Sequence, residues 1–280
     1  MTISRERLVG IAHAERQRLG RMIQYADPTS WEQPSAAAGW WNRDVMAHLA
    51  ADDTAAAQLV AGLPAEELDA FRSEHPDEPF AIDAWNAWVV NRRSGSDTRQ
   101  VLETWGAAAE SLLEYGTRLT DAQWQDARFP WLAGDIAATY LVQSRVVEWF
   151  LHGEDMRATN GVADGWQVGW QHWPVWLTID LGVRMLPWAL EQAGHDLAGR
   201  SVRIDVSGPG VGTWHWGLGA DEMPEPDAAP DAVIAGRAPQ AALVAGRRLD
   251  PDDALHSGAL VVGGDADLAD LVLHTIRAYP

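Results

Sequence analysis

The chain has 280 residues, 47% of them hydrophobic and 22% charged, with a formal net charge of -19 and no cysteine. That length suits two cores better than one, and so acidic a surface repels phosphate backbones and anionic lipid, so neither nucleic-acid nor membrane partners are expected. Without cysteine there is no disulfide, zinc ribbon, iron–sulfur cluster or cysteine nucleophile, and any thiol chemistry has to use a thiol brought from outside.

The charged start, MTISRERLVG, lacks a signal-peptide apolar core, and no apolar run is long enough for a bilayer; the expected location is the cytoplasm. Residues 4–26 predict a first helix, with Leu8, Ile11, Ala12, Leu19, Met22 and Ile23 near the helical period. Pro28, Pro34 and Gly39 mark a loop. A second helix is expected from Asn42 as N-cap, with the stripe Val45, Leu49, Ala56, Leu59, ending at Gly62 and Pro64. Residues 63–80 read as a long connection, and DAWNAWVVN as a short helix. Asp97 caps a third long helix whose stripe includes Val101, Trp105, Ala108, Leu112 and Leu119. DARFPWLAGD reads as loop, and Asp135 as the cap of a fourth helix reaching about Asn160, with Gly161 as its stop.

The second half changes character. The segment from Val168 to Gly194 is largely helical in pattern, with Pro174 and Pro187 expected to interrupt it. SVRIDVSG alternates, with Val202, Ile204 and Val206 on one face, and VGTWHWGLG is its expected partner, in which His215 faces opposite to Trp214 and Trp216. DAVIAG and ALVVGGD are further strands, APQAALVAGR is a proline-started helix, and Asp265 caps a last helix through Ala278. The expected architecture is two-domain: an all-α four-helix bundle over residues 1–162, then an α+β domain over 163–280, with the boundary near 161–166. Most of the sixteen tryptophans are expected in cores rather than in an aromatic-walled pocket.

Three residues carry the chemistry. Glu148 and His152 in VVEWFLHGED are four apart and share a helical face, and Val147 and Leu151 on the packed side turn both inward. His48 sits on the apolar stripe between Val45 and Leu49. A lone histidine there is ordinarily a hydrogen-bonded core residue, and a Glu–His pair four apart ordinarily just pairs. Three such groups aimed at one core, however, cost about 1–3 kcal/mol each unless partnered or metal-bound. Two histidines and a carboxylate suit a divalent metal, zinc first, with nickel or iron(II) also accepting the set.

GWWNRDVMAHLAADD and VVEWFLHGEDM resemble the GW…RDV…HLA and E…HG.D segments of the mycothiol-dependent maleylpyruvate isomerase family, within the DinB-like bundle superfamily. The resemblance implies that His48, Glu148 and His152 bind the metal, and that a zinc-type site activates the thiol of mycothiol. VRIDVSG…WHWG, AVIAGRAPQAALVAGRR and LVVGGD resemble the sterol-carrier-like C-terminal domain of related proteins. The segment 63–97 and the cluster from Trp166 to Trp176 have no mapped counterpart.

Arg43, at the arginine of RDV, and Arg247 are candidate carboxylate forks or else surface and helix-end charges, and Asp155 either orients a ligand histidine as acceptor or caps local backbone. Arg248 reads as a helix-end charge, and of Asp44 and Asp52 one is expected behind His48 and the other in solvent. His13, His75, His172, His195, His215, His256 and His274 read as structural or surface residues. No dinucleotide, P-loop or nucleophile-elbow motif is present. The expected function is isomerisation or S-transfer on a small unsaturated, anionic substrate with an external mycothiol-like thiol. Two alternatives stay open: a metal–water hydrolase or lyase in a biosynthetic pathway, and a metal-stabilised small-molecule binding protein.

Overall fold

A computed structural model of the chain describes residues 3–77, 82–131, 134–159, 171–219, 224–225 and 228–279. Contacts divide the chain into two units, residues 1–167 and 168–280. The expected boundary at 161–166, with Gly161 and Trp166, lies outside the described residues.

In the first unit α1 (Arg5–Tyr25), α2 (Asn42–Val60), α5 (Thr98–Arg118) and α7 (Ala138–Thr159) form the bundle, α2 packing on α5 and α1 on α7. Between α2 and α5 lie α3 (Glu66–Glu74) and α4 (Ile82–Arg93); α6 (Asp121–Asp126) and the strands β1 (Arg128–Trp131) and β2 (Gly134–Ala137) precede α7. The predicted stripes are the buried faces: Leu8, Ala12 and Leu19 on α1, Val45 and Leu49 on α2, and Ala109 and Leu112 on α5 are fully buried. Asp97 caps α5 as expected, its carboxylate accepting from the Arg99 N–H at 2.8 Å.

Several local expectations need correction. Trp41, not Asn42, is the N-cap of α2; the Asp44 carboxylate accepts from the Trp41 N–H at 2.9 Å, while the Asn42 side chain donates to the Ser30 carbonyl. The supposed connection at 63–80 contains α3, which forms because Leu68 and Phe71 bury completely and Glu66, Glu67 and Asp69 favour its N-terminal turn. Asp135 caps nothing. It lies in β2 opposite Pro130, in an antiparallel pair with β1, so the otherwise helical unit carries a small hairpin and α7 starts at Ala138.

In the second unit α8 (His172–Gln192) precedes β3 (Ser201–Ser207), β4 (Gly212–Gly217), β5 (Ala232–Arg237), α9 (Ala238–Ala245), α10 (Pro251–His256), β6 (Leu260–Gly264) and α11 (Ala266–Thr275). The sheet order is β4-β3-β5-β6, with β3 and β5 parallel and the outer pairs antiparallel. Val202, Ile204 and Val206 are buried together, as their alternation requires. Contrary to expectation α8 runs unbroken. Pro174 falls in its first turn, where its missing N–H costs nothing, and Pro187 is absorbed in the interior. The short helix α10, capped by Asp250, was unforeseen, and α11 stops at Thr275 rather than Ala278. Gly236 has φ 155° and no room for a side chain: a Cβ there would lie 2.2 Å from the Ala259 carbonyl oxygen.

Candidate metal centre

Helices α2 and α7 bring three side chains to one point. The Glu148 Oε2 atom lies 3.3 Å from His48 Nε2 and 3.1 Å from His152 Nε2, and all three ligand atoms fall within 4.8 Å of one another. Both imidazoles are buried, at 4% and 7% exposure, because α7 turns Glu148 and His152 toward the α2 face that carries His48. Their ring centroids are 5.1 Å apart, edge to face. Trp40 packs on both rings, 5.1 Å from His48 and 5.9 Å from His152. Its loop is tied down by the Ser35 N–H, which donates to the Trp40 carbonyl, and by the Ala36 N–H, which donates to the Asp155 carbonyl.

Each histidine has a carboxylate behind it. His152 Nδ1 is 2.9 Å from Asp155 Oδ2; His48 Nδ1 is 3.8 Å from Asp52 Oδ1 and makes no hydrogen bond despite its burial. Burial opposes the charged form of His152, but the bonds and charges of Asp155 and Glu148 outweigh it and raise its pKa. Burial likewise opposes ionised Glu148, yet the two histidines and Arg145 hold its carboxyl well below the ordinary range. Arg145, 1% exposed, reaches Asp52 Oδ2 at 2.7 Å, Asp53 Oδ1 at 3.2 Å and Glu148 Oε2 at 3.9 Å. The indoles of Trp85 and Trp149 donate to Asp52 and Asp53, each at 2.7 Å. One guanidinium cannot balance three carboxylates, and burial pushes Asp53 up to about 7.

A family model described as "Mycothiol maleylpyruvate isomerase N-terminal domain" matches residues 12–157. The chain belongs to that family. A second model, the SCP-2 sterol transfer family, matches residues 186–275. Two crystal structures of the mycothiol-dependent maleylpyruvate isomerase, one of them a histidine-to-alanine mutant, share the fold. TM-scores are 0.61 and 0.60 at 14% identity, with 94% of this chain and 96% of theirs covered. No curated protein sequence matches the chain. Among the described residues no helix is long and apolar enough to cross a membrane.

Within this mycothiol maleylpyruvate isomerase-type bundle, two imidazole Nε2 atoms and one carboxylate oxygen form a donor set that fits a borderline divalent cation. His48 Nε2 meets the Glu148 carboxylate at 3.3 Å while its unbonded Nδ1 faces Asp52; coordination through Nε2 would put the proton on Nδ1. Asp155 lies against His152, its Oδ2 at 2.9 Å from Nδ1. Of the two acids flanking His48, Asp52 is the buried one behind it, and Asp44 caps the helix. The structure does not bring Arg43 to the cluster by any bond. Its Nη1 pairs with both carboxylate oxygens of Glu32 at 3.0 Å on the bundle surface. Arg247 belongs to the second unit, at φ 58° after α9, and donates to the His274 carbonyl at 3.3 Å.

The sequence reading missed Arg145, Asp53, Trp40, Trp85 and Trp149 as parts of the site. Arg145 was legible: it precedes Glu148 by three and His152 by seven, on the same inward face. Trp85 was not, since nothing local ties α4 to α2. His274, read as lacking ligand spacing, lies with Asp252 and Asp270 in an exposed group of three ligand-type atoms.

Proposed function

We propose that the chain is a divalent-metal enzyme, zinc being the expected ion, that uses a mycothiol-like thiol to isomerise, or to transfer the thiol to, a small unsaturated acid. The convergence of His48, Glu148 and His152 in a bundle of this family carries the reading. The two structural relatives are mycothiol-dependent maleylpyruvate isomerases, and a cysteine-free chain has to borrow its thiol in any such reaction.

His48 Nε2, His152 Nε2 and a Glu148 oxygen are the atoms that would hold the cation. When bound there it lowers the pKa of a coordinating thiol and supplies a nucleophile at neutral pH. Asp155 is a positioning residue: it accepts the Nδ1–H of His152, fixes the ring and leaves Nε2 as the donor. Arg145 supports Glu148 and Asp52 from behind, and Trp40 packs against both imidazoles. Arg43 and Arg247 are given no step, since each guanidinium is engaged with the partner described above.

Metal analysis of the purified chain beside His48→Ala and His152→Ala tests the ligands. Near-stoichiometric metal in the wild type and little in either variant is expected; full metal in the variants rejects the assignment. A thermal shift with mycothiol that requires the metal supports the thiol, and no shift at millimolar thiol removes it.

A further inference from the structure

Trp85 lies on α4, in the DAWNAWVV stretch, and is completely buried. Phe71 of α3 meets its ring edge-on at 5.5 Å and Trp88 stacks on it at 5.7 Å. From that packing its N–H reaches Asp52 Oδ1 at 2.7 Å, while Arg145 Nη1 takes Oδ2 at 2.7 Å. The carboxylate is thus pinned at both oxygens. His48 Nδ1 faces the oxygen that Trp85 occupies, but from 3.8 Å, beyond hydrogen-bond reach. On the opposite side of the site Asp155 closes on His152 at 2.9 Å.

We propose that Trp85 restrains Asp52, keeping its carboxylate from the Nδ1–H of His48 and so making His48 the weaker of the two histidine ligands. The proposal rests on the metal reading above. A histidine that coordinates through Nε2 carries its proton on Nδ1, and its donor strength grows with the acceptor behind it. An acceptor pinned by Trp85 and already shared with a guanidinium gives less of that support. The α3–α4 segment therefore acts on the site through one hydrogen bond, without touching the ion.

The test is a competition titration of the full chain with Zn²⁺ against a chromophoric chelator. Trp85→Phe is one variant; the other replaces Trp85 with its benzothiophene isostere, which exchanges the N–H for sulfur, keeps the shape and meets the risk that the phenyl variant misfolds. Freed of the indole, Asp52 closes on His48, and zinc binds roughly threefold to tenfold more tightly. Adding Asp52→Asn abolishes the gain. Loss of packing alone would weaken binding, so unchanged or weaker zinc affinity in the isosteric variant overturns the proposal. A wild-type chain that takes up no zinc fails earlier and overturns the metal reading itself.

Discussion

In the bundle Glu15, Arg18, His48, Asp52, Asp53, Arg145, His152 and Asp155 are each at most 7% exposed; in the α+β unit the one described charged side chain buried to that degree is Asp180, at 3%. The balance of charge differs as well as the amount. Asp180 faces Arg184 through two nitrogens, at 2.8 and 3.3 Å, and accepts from the Trp214 indole at 3.0 Å, so this acid meets a base directly. Around the candidate centre Asp52, Asp53 and Glu148 share Arg145, and Asp155 adds a fourth carboxylate beside His152. Buried charge is tolerated when it is paired, and an excess of one sign persists only where something offsets it. Protonation of Asp53 offsets part of it, and a divalent cation at His48, Glu148 and His152 would offset the rest.

Removing the shared cation breaks this comparison hardest. Arg145→Met keeps much of the volume but leaves Asp52 and Asp53 buried without their counter-charge. A loss of about 3–5 kcal/mol in unfolding free energy is expected, read by urea denaturation at pH 7. A loss under about 1 kcal/mol would mean that the guanidinium does not balance those acids.

How much of this could be read in advance follows the range of the interactions. The stripes of α1, α2 and α5, the alternation of β3 and the inward faces of His48, Glu148 and His152 depend on residues within two turns of one another, and local periodicity reports them. The β1–β2 hairpin was hidden because Pro130 and Gly134 mimic a loop, and its four-residue strands are too short to show alternation. The unbroken α8 was hidden because Pro174 and Pro187 argue locally for interruption, while thirteen of the helix's residues, from Pro174 to Leu190, are buried and hold it together. The Trp85–Asp52 bond joins positions 33 residues apart, and only the packing of α4 on α2 creates it. The partner of Arg43 was not legible either: one helical turn from His48, its side chain turns to Glu32 on the surface.

Acidity sharpens the contrast next. Burial is the main reason that Asp53 is pushed up to about 7, against the pull of Arg145 and Trp149 and with the help of Asp52 and Glu148. The folded chain therefore holds more protons than the unfolded chain between the ordinary aspartate value and about 7. The stability this contributes is fully present at pH 3.8 and below and is lost as pH rises through 7. In Asp53→Asn the group is neutral at every pH. The difference in unfolding free energy, wild type minus variant, should fall with pH across this window by up to ~1.4 kcal/mol per unit. Urea titrations at three pH values measure it, and a flat difference would show that Asp53 stays ionised in the fold.

The smallest effect belongs to the balanced site. Asp180→Ala deletes the acceptor of the Trp214 indole and the partner of Arg184, whose guanidinium also lies 5.2 Å from the Trp216 ring centre. Arg184 is partly exposed and can turn to water, so the cost reduces largely to the buried indole N–H, about 1–3 kcal/mol. All three proposed ligands lie in the bundle, so metal per folded chain should equal that of the wild type, whereas Arg145→Met disturbs the support of Glu148 directly. If Asp180→Ala stripped the metal while the second unit stayed folded, buried charge in the α+β unit would have to be counted with the centre, and the division drawn here between a balanced and an unbalanced unit would not hold.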